Sequence, residues 1–315
     1  MEKITVLKLI RRYKYWVEKD EIQFLLKKEQ SKSKIISLLA KLESDFQEAE
    51  SKGGDLSEYL NWHTIHQKGR DLWQELMRNA INNIDPNAKG TKSLYEFMKS
   101  AIDFEDLLYG LETYYRDHTL HSLWVYFLGE HLMRDHLPEV HTNLDWHLYN
   151  TIEKDEEGHT QSLIKHSRKI AESLVERVNS KKDAIWCMMA LCHDLGYSLA
   201  KLDKLNEKVQ AVLTFMDLPE FRRLGYSLDL EHQFIISEFL MLMAMEIYLV
   251  PSTDGKDVLI KGFRDDETYW RLCRALERKE HGILSAYLLY KNLGIFADTW
   301  VRGPAEVWGF DEEEA

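Results

Sequence analysis

Apolar residues that return every third or fourth position leave a chain few options other than helix, and the first third of this sequence is built on that spacing. Val6, Ile10, Tyr13 and Val17 share one stripe, and Ile35, Leu39, Leu42, Phe46 and Ala49 share a second. Gly53-Gly54 closes the second stripe, and Asp55 followed by Glu58 resembles the capping pattern that opens a new helix, so a helical hairpin is expected here. Asp85-Pro86-Asn87 with Gly90 marks a loop, and further breaks fall at Leu137-Pro138, Gly196, Pro251 to Gly255 and Gly294. No alternating apolar-polar run long enough to build a sheet occurs, and no internal repeat is present. The expected class is all-α, a multi-helix bundle with an N-terminal helical extension.

At 315 residues, with 44% hydrophobic and 30% charged side chains, the chain has the composition of a packed globular protein. Its 41 Lys and Arg against 53 Asp and Glu leave a formal charge of -12, which opposes duplex nucleic acid and anionic membranes as partners. A small anionic substrate stays compatible with that charge, because a divalent ion reverses the sign of a pocket locally. Cys187, Cys192 and Cys273 form no CxxC pair and are too few for a disulfide framework, which suits a reducing compartment. The N-terminal MEKITVLKLIRRYKYW reads as helix rather than as a secretory signal, so the expected location is the cytoplasm. Residues 233–250 approach membrane-spanning length but contain Glu238 and Glu246 and stop at Pro251, so a buried core helix is expected instead.

Histidines concentrate later in the chain, which divides it into an N-terminal helical unit, 1–110, and a site-bearing unit, 111–315. In RDHTLHSLWVYFLG, His121 falls on one helical stripe with Val125, Leu128 and Leu132, an arrangement that points it toward the core. IWCMMALCHDLGY aligns His193 with Trp186, Met189 and Ala190 and then breaks at Gly196, so an adjacent histidine and aspartate end an apolar helix. Where regular geometry is lost, neighbouring imidazole and carboxylate groups can reach one cation, and mixed N/O ligation suits iron, manganese, zinc or magnesium. KEHGILSAYLL places His281, Leu284 and Leu288 on another inward stripe.

His121 followed by SLWV, then HD at 193–194, then HG with SA at 281–285, resembles the HD superfamily of metal-dependent phosphohydrolases over most of 111–315. The resemblance implies a phosphodiesterase-like helical bundle holding one or two divalent metal ions. It implies His121, His193 and Asp194 as metal ligands, with His281 and His232 as the added histidines of a two-metal branch. The activity it implies is hydrolysis of a phosphate ester, in a nucleotide or related small phosphorylated substrate, by metal-activated water. Asp194, His118 and Lys201 would then act on the substrate or its water. Many members carry lysine shortly after HD, where this chain has Tyr197 and only later Lys201. The family's late aspartate has no clear counterpart, since Asp298 follows His281 closely.

Each of these residues has a plainer reading. A solitary histidine on an apolar helix face is more often a hydrogen-bonded core residue than a ligand. His193 and Asp194 differ, because a buried aspartate requires a cation, a basic partner or solvent. Arg116 and Asp117 read equally as an exposed ion pair and a capping group. Lys204, Lys261 and Arg264 are candidate phosphate binders that solvation explains as well. His63 and His66 read as surface or packing residues, the run Leu240 to Met245 as core filler, and Cys187 and Cys192 as buried thiols. The rival to an enzyme is a non-catalytic HD-fold scaffold or a nucleotide-binding regulator. The N-terminal stripes can pack within the chain or across a homo-oligomer.

Overall fold

Thr5 opens the first helix, α1 (Val6–Glu18), by accepting a hydrogen bond from the Lys8 N–H through its side chain. The computed structural model describes residues 4–26, 28–52, 61–86, 92, 94–97, 99–100, 104, 118–136, 176, 179–214, 230–251 and 258–293. On α1, Ile10, Tyr13, Trp16 and Val17 are buried as the spacing requires. The helix closes with Glu21 N–H on the Trp16 carbonyl and Asp20 at φ 58°, a left-handed cap that aspartate tolerates better than most residues. Helix α2 (Glu29–Lys52) buries Ile35, Leu39, Leu42, Phe46 and Ala49, and Gly53-Gly54, expected to close it, lie outside the described residues. Helix α3 (Trp62–Ile84) starts at Asn61, whose side chain accepts the Thr64 N–H, and ends at Asp85. Helix α2 packs against both α1 and α3, so the expected hairpin is present. The cap expected at Asp55 and Glu58 lies outside the described residues.

The later elements are α4 (His118–His131) with a π-helical turn Leu132–His136, α5 (179–192), α6 (Tyr197–Ala200), α7 (Leu202–Thr214) and α8 (Leu230–Met243). They continue with strands β1 (Met245–Pro251) and β2 (Val258–Arg264), then α9 (Asp266–Glu277) and α10 (His281–Leu293). The described chain is all-α in class, with β1 and β2 paired as a two-stranded sheet. That pair corrects the expectation of one buried helix over 233–250. The helix ends at Met243, and Ile247, Tyr248 and Val250 favour extended backbone through their β-branched or aromatic side chains. The methionines were also misread as core filler: Leu240 is buried, but Met241, Met243 and Met245 are exposed. No described helix is long and apolar enough to cross a membrane.

Two compact units share the chain in alternating stretches. One comprises Met1–Pro86, Leu123–Leu191 and Ile247–Gly262, and the other Asn87–Ser122, Cys192–Glu246 and Phe263–Ala315. The boundary expected at 110 lies outside the described residues.

In the first unit Tyr13 organises the core. Its ring stacks on Phe127 with centroids 4.5 Å apart, and its hydroxyl meets that of Tyr126 at 3.0 Å. Gly129 brings α4 close to α5, since a Cβ there would lie 2.1 Å from the Trp186 ring. The Trp73 indole N–H donates to the Leu191 carbonyl at 2.9 Å. Beside these contacts Arg134 donates to Glu130 at 2.5 Å and to Asp183 at 2.8 Å. Both carboxylates are almost wholly buried, so two acids share one guanidinium and one negative charge is in excess. In the second unit α8, α9 and α10 pack around Ile236, Phe239, Leu240, Ile283, Tyr287 and Tyr290.

The excess charge makes the first unit sensitive to pH. Burial pushes the Glu130 carboxyl up from 4.5 to about 7, against the opposing pull of Arg134. The folded state therefore holds this proton more tightly than the unfolded chain, and stability falls as pH rises from about 4.5 to about 7. Glu130→Gln keeps the shape and removes the charge. Its stability relative to wild type is expected to rise by on the order of 2 kcal/mol between about pH 5 and about pH 8, measured by urea unfolding at each pH.

Candidate metal centre

The helix carrying Trp186, Cys187 and Cys192 runs to residue 192, and the next four residues form tight turns instead of continuing it. The Leu195 N–H bonds the Cys192 carbonyl at 3.2 Å, and the Tyr197 N–H bonds the Asp194 carbonyl at 2.9 Å. This is the loss of regular geometry that lets two adjacent side chains converge. Asp194 Oδ2 lies 3.1 Å from His193 Nε2. His121, on the first turns of α4, brings its Nε2 to 3.8 Å from the same oxygen. The two imidazole rings meet edge to face with centroids 5.5 Å apart.

One donor atom from each of His121, His193 and Asp194 falls within 4.8 Å of the others, the one such group able to hold a metal ion among the described residues. Donor atoms about 2.0–2.2 Å from a common ion in tetrahedral geometry lie roughly 3.3–3.6 Å apart, so modest side-chain movements would close this set on a cation. Two nitrogens and a carboxylate oxygen match the borderline and hard metals expected from the sequence. The buried cysteines take no part in this set: burial pushes the Cys192 thiol far above its ordinary pKa and keeps it protonated.

His281 joins the same carboxylate from its other side, with Nε2 3.5 Å from Asp194 Oδ1. Its side chain is 52% exposed where that of Asp194 is 12% exposed, so the carboxylate sits at the base and His281 at the open side. This corrects the expectation that the three histidines point into the apolar core. On α4 the buried apolar residues include Leu120, Leu123, Tyr126 and Phe127, whereas Leu128 and, just beyond the helix, Leu132 are exposed and His121 is half-buried. Met189, aligned with His193, is likewise exposed. On α10 Leu284 is buried and His281 is not. Histidine nitrogens need polar surroundings, and these three gather around the Asp194 carboxylate in a partly open site.

Lys201 lies one turn beyond Tyr197, its Nζ 4.7 Å from the centre of the Tyr197 ring, and that ring packs edge-on to His281 at 6.1 Å. The lysine is thus linked to the site through an aromatic side chain whose part the sequence did not disclose. His118 begins α4 and His232 lies in α8, but both side chains are outside the described residues, as are Arg116, Asp117 and Asp298. Lys204 is exposed, and Arg264 is engaged by Asp266 and the Tyr269 ring. The side chains of His63 and Lys261 lie outside the described residues, and His66 is half-buried.

Helix α10 approaches the turn closely enough to require glycine. A Cβ at Gly196 would stand 2.5 Å from the His281 carbonyl oxygen, 2.5 Å from Leu284 Cβ and 2.7 Å from the Ser285 nitrogen. Because two of these neighbours are backbone, Gly196→Ala must displace the turn or the helix. It is expected to lower stability by about 1–3 kcal/mol in denaturant titration.

No family model, curated protein or solved structure matches this chain.

Proposed function

We propose that the chain is a metal-dependent phosphohydrolase that cleaves a phosphate ester of a nucleotide or related small molecule. The observation that carries this reading is the convergence of His121 with the adjacent pair His193-Asp194, remote from it in sequence, on one set of donor atoms within 4.8 Å. The order of these residues along the chain matches the resemblance to the HD superfamily, and the N/N/O donor set supports a divalent ion such as manganese, iron, zinc or magnesium.

His121, His193 and Asp194 would hold the ion. When bound, it supplies water activated near neutral pH and neutralises phosphoryl charge. Asp194 orients the attacking water while its second oxygen faces His281. His281, at the open side, would hold a second ion or transfer a proton to the leaving oxygen, a reading supported by its approach to Asp194. Lys201 and Tyr197 border this opening, where an ammonium group and an aromatic ring favour a substrate with a phosphate and a planar base. His118, at the start of α4, is a further candidate proton donor. The net charge of -12 then requires the ion itself to make the pocket attractive to an anion.

Elemental analysis of purified wild type against the His193→Ala/Asp194→Ala variant, at matched circular dichroism, tests this directly. Near-stoichiometric metal in wild type and its loss in the variant is expected, followed by phosphate release from nucleotides or simple phosphate esters. No metal in either protein after incubation with manganese, iron or zinc overturns the hydrolase reading and favours a helical scaffold. Tight nucleotide binding without phosphate release would instead identify a regulator.

A further inference from the structure

Ser285 has no place among candidate ligands, yet its hydroxyl sits at the junction of the two segments that frame Asp194. The side chain is buried, with 2% of the residue exposed, on the face of α10 that meets the turn. Its Oγ accepts the Gly196 N–H at 2.7 Å. The same Oγ lies 2.8 Å from the His193 carbonyl and 2.8 Å from the His281 carbonyl, and its single proton donates to one of them at a time. One hydroxyl therefore bonds the turn at both ends, before Asp194 and after Leu195, and also touches the backbone of His281.

We infer that Ser285 is a positioning residue that sets the distance between Asp194 and His281 by latching the metal-binding turn onto α10. Two observations beyond the hydrogen bonds support this. The missing Cβ at Gly196 lets the turn lie against the backbone of residues 281–285, so the latch operates at direct contact. The backbone at Lys279 adopts a left-handed conformation, φ 53°, and the Glu280 N–H bonds the Ala275 carbonyl, which fixes where α10 begins and hence where His281 stands. With both helix start and turn held, the latch serine controls how closely Asp194 Oδ1 approaches His281 and how Asp194 Oδ2 is presented to His193. Without it, the turn is no longer fixed against α10, which loosens a ligand set whose donors must converge on one point.

This inference rests on the proposal that His121, His193 and Asp194 bind a divalent ion, and manganese titration of the full chain separates the two. Wild type, Ser285→Ala, Ser285→Thr and Phe239→Leu would be titrated by calorimetry at a temperature where each is folded by circular dichroism. Threonine keeps a hydroxyl able to bond the carbonyl four residues back in a helix, and Phe239→Leu lowers stability in the helix core without touching the latch. Removing a group that orients a ligand typically weakens metal binding by about 10–100-fold. The expected result is at least about ten-fold weaker manganese binding by Ser285→Ala, with the threonine and Phe239→Leu variants within about two-fold of wild type. Should Ser285→Ala fail to fold, Ser285→Cys takes its place, with the same weakening expected from its poorer hydrogen bonds. Equal affinity in wild type and the serine variants, or an equal loss in Phe239→Leu, overturns the positioning role while leaving the metal site standing. A wild type that binds no manganese, iron or zinc overturns the metal reading and this inference with it.

Discussion

The contact between the turn 193–196 and helix α10 is the constraint on which the candidate site depends. It exists because position 196 has no side chain: any Cβ would meet backbone atoms of residues 281 and 285 at under 3 Å. Turn and helix are thereby close enough for one serine hydroxyl to bond them together, and for His281 to reach the carboxylate that His193 already approaches. A longer side chain would hold the backbones apart and separate the two halves of the ligand set.

The remaining candidate ligand, His121, lies on a helix rather than on a turn. His121 lies near the start of α4, and the later turns of that helix carry Tyr126, Phe127, Gly129 and Glu130 into the core around Tyr13. Likewise α5 carries Asp183 and Trp186 before it reaches the turn bearing His193 and Asp194. Within the first unit, the stretches of both helices are held by buried contacts: aromatic stacking, the close approach at Gly129 and the cluster of Arg134 with two acids. That cluster stabilises less than its number of ion pairs suggests, because desolvation of three charged groups offsets much of their attraction.

Much of the architecture was legible because helical spacing and breakers are local signals. The stripes of α1 and α2 and the burial of Cys187 and Cys192 follow from residue order. Helix length over 233–250 was not legible, since a run of apolar residues reads alike as helix or strand and only the branched and aromatic residues after Met245 separate the two. The orientation of the histidine stripes was misread for a related reason. Periodicity says which residues share a face, but where a site opens on that face the same stripe lines a cleft instead of a core, as exposed Leu128 and Met189 show.

Sequence alone determined the helical class, the order of the candidate ligands and the loss of helix at His193-Asp194, because each depends on neighbours within a few turns of the chain. Tertiary structure decided that His121, His193, Asp194 and His281 meet, that Ser285 bridges turn and helix, and that Glu130 and Asp183 share Arg134. Apart from the local pairs His193-Asp194 and Glu130-Arg134, those relations join residues dozens of positions apart in sequence, and the distances that give them chemical meaning are set by side-chain volume and backbone packing between elements, which residue spacing along the chain does not encode.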